Sequence, residues 1–534
     1  MTLRQEEFLA RTGLLVKASV CVALAYLMIF QDDFLGLGGT ISHQSARLVE
    51  LGAGILNSHL YPGEAQKHLV VVTIDENSLA STRETNPPSH HFHVRVLRRI
   101  LAQQPRAVFV DILLDTCRDG TSELLQTLNL ARSKGIPVYV AAGRPERAPA
   151  SADRAINVCG EKVDLARAWS ARAALGVLPE IAVRAIPVDV MHAVGDAESD
   201  EYCLVPGMDR EHLCLPAEQL ATLPAQPNNV RLSAAYQIYR DLCGAVRWRH
   251  CGKSEDAPLV RWPPRAEKLD VMWGYRAADS FPGSAIGTPG CREQIGLGET
   301  VRRLIRRGLD SLRLPCPYTP SVSAMSLLVG SGKLELGERL LAGAPQPHAP
   351  NDRRPAGVPL SLSGRVVLYG FDLAGSSDVI RPPTHLMLPG VFLHAMALDN
   401  LLTWGEHYKA PAIWLAGHRI AGDYVTFATF IAVFLLCFLV RYVIMDQSTV
   451  LGIILGAMAN WYNLPILCLL LGAFYSIYLD LATYNWLAIV GFASAVPAAL
   501  DSLAARGEAL SKTAVAVVPW LRQLPKRLSA IVVR

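Results

Sequence analysis

Short runs of apolar, largely β-branched residues alternate with stretches of helical periodicity near the start of the long polar part of the chain. The first run, His68–Ile74, ends in Asp75 and Glu76. Val94, Leu97, Ile100 and Leu101 then recur at spacings of three and four, which predicts a helix around Val94–Gln104. Ala107–Ile112 is a second run, ending near Asp111; Ser122–Ser133 reads as a second helix and Ile136–Ala142 as a third run. Strands without polar alternation, separated by helices, predict an α/β domain with a mainly parallel sheet covered by helices. Two later runs, Leu269–Trp273 and Arg365–Gly370, are expected to join that sheet, the second of them centrally.

Outside this region the pattern changes to long apolar segments at roughly 12–30, 423–445, 449–471 and 485–503. Each approaches the ~20 apolar residues needed to cross ~30 Å of hydrocarbon, which predicts one N-terminal and three C-terminal transmembrane helices. The first also has the length of a signal peptide, but it runs into Gln31, Asp32 and Asp33 without a small-residue cleavage site, so it reads as an uncleaved anchor. Asn460, Trp461, Tyr462, Asn463 and Pro465 interrupt the third segment, which leaves a kinked span or a re-entrant hairpin. Arg4, Arg11 and Lys17 precede or flank the first segment, and Arg506, Lys512, Arg522, Lys526, Arg527 and Arg534 follow the last. Basic residues in short flanks stay inside, so both termini are expected in the cytoplasm and the long loop outside it. The chain divides accordingly into an N-terminus and anchor (1–34), a large outer domain (35–410), three membrane helices (411–505) and a short basic tail (506–534).

Charge and cysteine usage refine this division. A net charge of +4 over 534 residues gives no electrostatic footprint for nucleic acid. Eight of the eleven cysteines lie in the outer domain: Cys117, Cys159, Cys203, Cys214, Cys243, Cys251, Cys291 and Cys316. An even set in an oxidising compartment favours disulfides, though spacing does not determine connectivity. Pairing of sequence neighbours would join Cys203 to Cys214, Cys243 to Cys251 and Cys291 to Cys316; buried apolar thiols are the alternative.

The segment 362–404 carries the most specific signal. It runs through Gly364, Arg365, an apolar run to Gly370, then Asp378, Pro382, Pro389, Gly390, Val391, His394 and Ala395 into an apolar helix. It closely resembles the C-terminal signature of the CHASE2 domain, an extracytoplasmic sensory module of bacterial membrane receptors. Ile74–Leu79 and Phe109–Leu114 are similar to the N-terminal motifs of the same family. Two departures stand out. Residues 86–93 replace an aromatic turn, and long Pro/Gly/Arg-rich insertions occupy roughly 205–314. Tyr318–Leu328 is similar to the family's short loop before its last helix. The resemblance implies a periplasmic sensor domain in a multi-pass protein of the bacterial inner membrane. Related sensors often work as dimers, so a homo-oligomer is an expectation by analogy alone.

Candidate ligand-binding residues are Asp75, Glu76, Asp111 and His394. The three acidic residues fall at the C-terminal ends of predicted parallel strands, the edge where open α/β sheets bind ligands. The same carboxylates can equally cap helices. His90, His91 and His93 form a dense cluster that suits zinc in type, but they lack the helical spacing of a zinc motif and read as a surface loop. No metal or cofactor is expected. Residues 302–313 form a basic amphipathic stretch with Leu304, Ile305, Leu309 and Leu312 on one side. The sequence contains no P-loop, G-x-S-x-G, H-E-x-x-H or kinase motif, so it is not expected to be an enzyme. The expected function is a sensory subunit that works in the bilayer through a separate protein partner in the membrane or cytoplasm. A structural scaffold of an envelope assembly is the alternative, and a periplasmic enzyme using Asp75, Asp111 and His394 is a third reading.

Overall fold

The computed structural model describes residues 63, 65–114, 118–142, 155–158, 161–164, 184–187, 201–205, 232–245, 268–274, 302, 306, 313–314, 316–329, 361–373, 378–382, 384–410, 412–415, 418–421, 424–425, 427–429 and 431–432. The chain forms two compact units, Glu50–Pro411 and the remainder (Met1–Val49 with Ala412–Arg534).

In the first unit a parallel sheet is built from β1 (Leu69–Ile74), β2 (Ala107–Val110), β3 (Val138–Ala142), β6 (Arg184–Pro187), β9 (Ser321–Ser323) and β10 (Val366–Phe371), in the order β6-β3-β2-β10-β1-β9. Among the described residues of this unit three antiparallel pairs lie outside it: β4 (Ala155–Val158) with β5 (Glu161–Asp164), β7 (Glu201–Cys203) with β8 (Lys268–Asp270), and β11 (Val379–Ile380) with β12 (Leu388–Pro389). The sheet forms because β1, β2 and most of β10 are buried at every position and, Thr73 apart, apolar, which only a sheet covered on both faces allows. The expected central place of the late strand holds. Val366–Phe371 pairs with Leu69–Ile74 on one side, and Val366–Tyr369 with Ala107–Val110 on the other.

The covering layers follow from the alternation of side chains along each strand. Val70, Val72, Val108, Val110, Val367 and Tyr369 face a core with α1 (Glu76–Thr82), α2 (His90–Ala102), α3 (Thr121–Ser133) and α5 (Ala324–Val329). Leu69, Val71, Ala107, Phe109, Val366 and Leu368 face the opposite core, with α4 (Ala234–Tyr239), α6 (Val391–Trp404) and the β7–β8 pair. Helix α6 is buried at every residue from Val391 to Leu402, including His394, Asp399 and Asn400. It sits directly on β10: a Cβ at Gly370 would come within 2.9 Å of the Val391 Cβ.

Three expectations are corrected. Leu269–Trp273 does not join the main sheet: β8 pairs with β7, and its continuation is captured by α6, whose Asn400 accepts from the Met272 amide at 2.9 Å and donates to the Met272 carbonyl at 3.0 Å. An apolar run states that a strand is buried but not which sheet takes it. Tyr318–Leu328 is not a loop but holds edge strand β9 and helix α5. The histidine cluster is the first turn of α2, not a surface loop, because Ser89 caps the helix at the Phe92 amide (3.3 Å) and is itself held by Glu84.

In the second unit the described residues include an antiparallel hairpin, β13 (Ala412–Leu415) with β14 (His418–Ala421), and helical residues between 424 and 432. Among the described residues, no helix is long and apolar enough to cross a membrane. The expected spans at 12–30, 449–471 and 485–503, most of 423–445, and the basic tail lie outside the described residues, as does most of 302–313.

Asn400 satisfies both backbone groups of Met272 in a buried setting, so Asn400→Leu leaves a donor and an acceptor without partners at a cost of about 2–4 kcal/mol. A clearly lowered midpoint is expected in thermal unfolding of the full-length protein followed by circular dichroism. An unchanged midpoint would show that the β8 segment is not held through this side chain.

Candidate functional site

The C-terminal edge of the sheet collects polar residues because each central strand ends in a carboxylate: Asp75 after β1, Asp111 after β2 and Asp372 after β10. The helices that follow β1 and β2 cover one face, while α6, which follows β10, covers the other. Strand β10 is therefore flanked on both sides by points where the chain leaves in opposite directions, the positions at which doubly wound sheets place ligands.

On the α6 face, Asp111 continues the alternation of Ala107 and Phe109 and meets the first turn of α6. Its Oδ1 lies 3.8 Å from Nε2 of His394, and each side chain keeps only 9% of its surface exposed. Nδ1 of His394 lies 2.8 Å from the Tyr202 hydroxyl, whose oxygen accepts from the Ala235 amide at 3.1 Å. The Phe109 and Tyr202 rings stand edge-on to the imidazole, with centroids 5.2 and 5.5 Å away. Asp378 lies against Gly390, where any Cβ would strike its carboxylate, and its carbonyl accepts from the Gly390 amide at 3.0 Å. Burial pushes the Asp111 carboxyl up to about 7. Burial also pushes His394 down to about 4, with Asp378 acting in the opposite direction. Burial raises the Tyr202 hydroxyl as well.

The other predicted carboxylates belong to a separate group. Asp75 caps α1, accepting from the Ser78 amide at 2.7 Å and the Ser78 hydroxyl at 2.5 Å. Ser78 in turn meets Ser323 of β9 at 3.0 Å and accepts from the Met325 amide at 3.1 Å, tying α1 to the edge strand and α5. Glu76 is exposed. Burial, then the charges of Glu76 and Asp75, raise the Asp372 carboxyl. The structure thus joins Asp111 to His394, and brings Asp75 and Glu76 to Asp372. Among the described residues no group of three His, Cys, Asp or Glu side chains can hold a metal ion.

Of the histidine cluster, His91 alone is exposed, 3.2 Å from Glu123. His90 is 2.8 Å from the Thr121 hydroxyl, and His93 is 2.9 Å from the Tyr369 hydroxyl inside the core. Cys203, Cys243 and Cys316 are disulfide-bonded. Cys214, Cys251 and Cys291, their expected counterparts, lie outside the described residues. Sequence reasoning missed Tyr202, because it stands beside the divergent insertions where no motif or period marks it. It missed Asp372 as a member of the edge, although the rule that exposed Asp75 and Asp111, a carboxylate directly after a buried strand, marks Asp372 equally well.

The CHASE2 domain matches residues 43–437, and the chain belongs to that family. No curated protein and no solved structure matches it. Membership in a sensory, extracytoplasmic domain family supports a sensory role.

The buried histidines give the domain an acid-labile side. Burial lowers His93 and His385 to about 3 and His394 to about 4, all from an unfolded value near 6.5. Each binds its proton more tightly in the unfolded chain, so its contribution is fully present above about pH 6.5 and is lost as pH falls toward those lowered values. Asp111, raised to about 7, works the other way, its contribution falling as pH rises from about 4 to about 7. The lowered histidines, His90 among them, outnumber the raised carboxyls of Asp111 and Asp372, so on balance these groups take up protons on unfolding between roughly pH 6 and pH 4 and stability falls with acidity there. Denaturant unfolding across that range is expected to show this acid limb, with a shallower slope in His385→Gln. A slope unchanged by that substitution would contradict the burial of His385 as an uncharged group.

Proposed function

We propose that this CHASE2 protein is a membrane-bound sensory subunit whose large domain lies in the periplasm, with both termini in the cytoplasm, and which passes its signal to a separate protein partner. The stimulus is read at the C-terminal edge of the sheet, by Asp111 and His394 directly and with Asp75 and Glu76 at the neighbouring strand end. One observation carries this reading. The first turn of α6 is fastened to β7 through the His394–Tyr202 hydrogen bond and faces the end of β2, where Asp111 lies 3.8 Å from His394. Helix α6 is also the last helix before the chain leaves its unit at Pro411. A change at that fastening therefore acts on the element that leads, along the chain, to the apolar segments. Those segments span the inner membrane, and a protein in contact with them reads their displacement. The domain does this without chemistry of its own and without a cofactor.

A scaffold role in an envelope assembly is the second reading, favoured by the disulfide-bonded Cys203 and Cys243 within and beside the long insertions. In both readings the bonds join Cys203 to Cys214, Cys243 to Cys251 and Cys291 to Cys316.

Purification of the full-length protein from its native membrane in mild detergent, followed by mass spectrometry, is expected to recover a cytoplasmic or membrane effector. Recovery of structural envelope proteins alone would favour the scaffold. A reporter fused after Arg534 is expected to be active only in its cytoplasmic form; activity of a periplasmic reporter would reverse the topology. Peptide mapping without reductant is expected to yield the three neighbour pairs, and any cross-pairing would replace them.

A further inference from the structure

The Tyr202 oxygen accepts from the Ala235 amide through one lone pair, and we assign its proton to Nδ1 of His394. Neutral His394 therefore carries its hydrogen on Nε2, the atom that faces Oδ1 of Asp111 at 3.8 Å. A second proton on the imidazole would have to enter at Nδ1, where Tyr202 already donates, so hydrogen bonding opposes the imidazolium as burial does. The group left to titrate is Asp111. The groups that face the pair are Tyr202 from β7, Asp378 from the segment after β10 and the Phe109 ring from β2. Among the described residues no lysine or arginine is paired with either member.

We infer that Asp111 and His394 form a proton-operated latch between β2 and α6, drawn tight when Asp111 is ionised and slack when it is protonated, so that the acidity of the surrounding compartment is a stimulus the domain reads. This rests on the sensory reading of the same site. An ionised Asp111 accepts a charge-assisted hydrogen bond from Nε2–H. Such bonds settle at about 2.7–2.9 Å, so the 3.8 Å contact closes by about 1 Å. A protonated carboxyl exerts no such pull. The movement falls on α6 rather than on β2. Strand β2 is hydrogen-bonded to β10 on one side and β3 on the other, while the N-terminus of α6 has Gly390 at its cap and no side-chain cap bond. The burial that raises the Asp111 carboxyl places this titration near neutrality, where an ordinary carboxylate would long since have ionised.

Hydrogen exchange of the first turn of α6 (391–395), measured on the full-length protein from about pH 5.5 to about pH 8.5 and normalised to intrinsic rates, tests the latch. In the native protein protection is expected to rise several-fold as pH passes through about 7. Asp111→Asn is expected to hold it at the low-pH level throughout. Tyr202→Phe frees Nδ1 to take a second proton; the resulting imidazolium favours the carboxylate and moves the midpoint to lower pH. A residue that only packed would leave that midpoint in place, and this variant carries the test if Asp111→Asn does not fold. Flat protection in the native protein, or the same transition in Asp111→Asn, overturns the latch. A flat α6 in a protein that still captures its effector defeats the latch alone. A pH-dependent α6 in a protein that captures no effector upholds the latch and defeats the sensory-subunit reading.

Discussion

Strand β10 pairs on both sides, with β1 and with β2, and most of the fold depends on that double pairing. Without it the strands formed early in the chain would expose a wide gap of backbone donors and acceptors between Leu69–Ile74 and Ala107–Val110, which buried strands do not tolerate. The constraint also fixes α6. A helix that leaves a central strand must cross one face of the sheet, and the other face is already covered by α1, α2, α3 and α5. Helix α6 therefore occupies the opposite face as its main cover, apolar nearly all round, with its polar residues each engaged: His394 with Tyr202 and Asp111, Asn400 with Met272 and Met396.

The same constraint explains why the chemistry gathers where it does. Inserting β10 between two strands whose helices lie on the other face gathers polar residues on each side of its C-terminal end. One side holds Asp111 with His394, the other Asp75 and Glu76 with Asp372. The two sides differ physically. Asp75 is spent on capping α1 and anchoring Ser78 to β9, a network that stiffens the edge. Among the described residues Asp111 has neither a cap to make nor a cation to face, and its contact with His394 is longer than a hydrogen bond. A buried carboxyl in that position is held near its own titration by desolvation alone, so small changes in its surroundings shift its charge.

Other buried polar groups in the domain are paired across the same layers, as low-dielectric surroundings require. Tyr369 of β10 meets His93 of α2 at 2.9 Å, Tyr139 of β3 donates to Asp241 at 3.0 Å, and Gln66 donates to the Tyr318 carbonyl at 2.6 Å. Each joins segments distant in sequence, and each ties a strand or its lead-in to an element that packs over it. The fold is thus specified by polar pairs between layers as well as by two apolar cores.

The sequence by itself determined the central strands β1, β2, β3 and β10, helices α2 and α3 between them, and the family. Largely apolar runs at 68–74, 107–112 and 136–142 point to a sheet covered on both faces, and the pattern from Gly364 to Ala395 is specific enough to name the CHASE2 domain. It also marked Asp111 and His394 separately, one by its place after a strand and one by its motif. Periodicity, however, reports only which residues are buried, not what buries them. Whether Leu269–Trp273 joined the main sheet depended on Asn400 reaching across to Met272. Whether His90 and His93 were loop or core depended on Ser89 capping α2 and on Thr121 and Tyr369 waiting opposite. That Asp111, His394 and Tyr202 form one cluster was decided by tertiary structure alone, because their pairing depends on the insertion of β10, and no local property of any of the three residues encodes it.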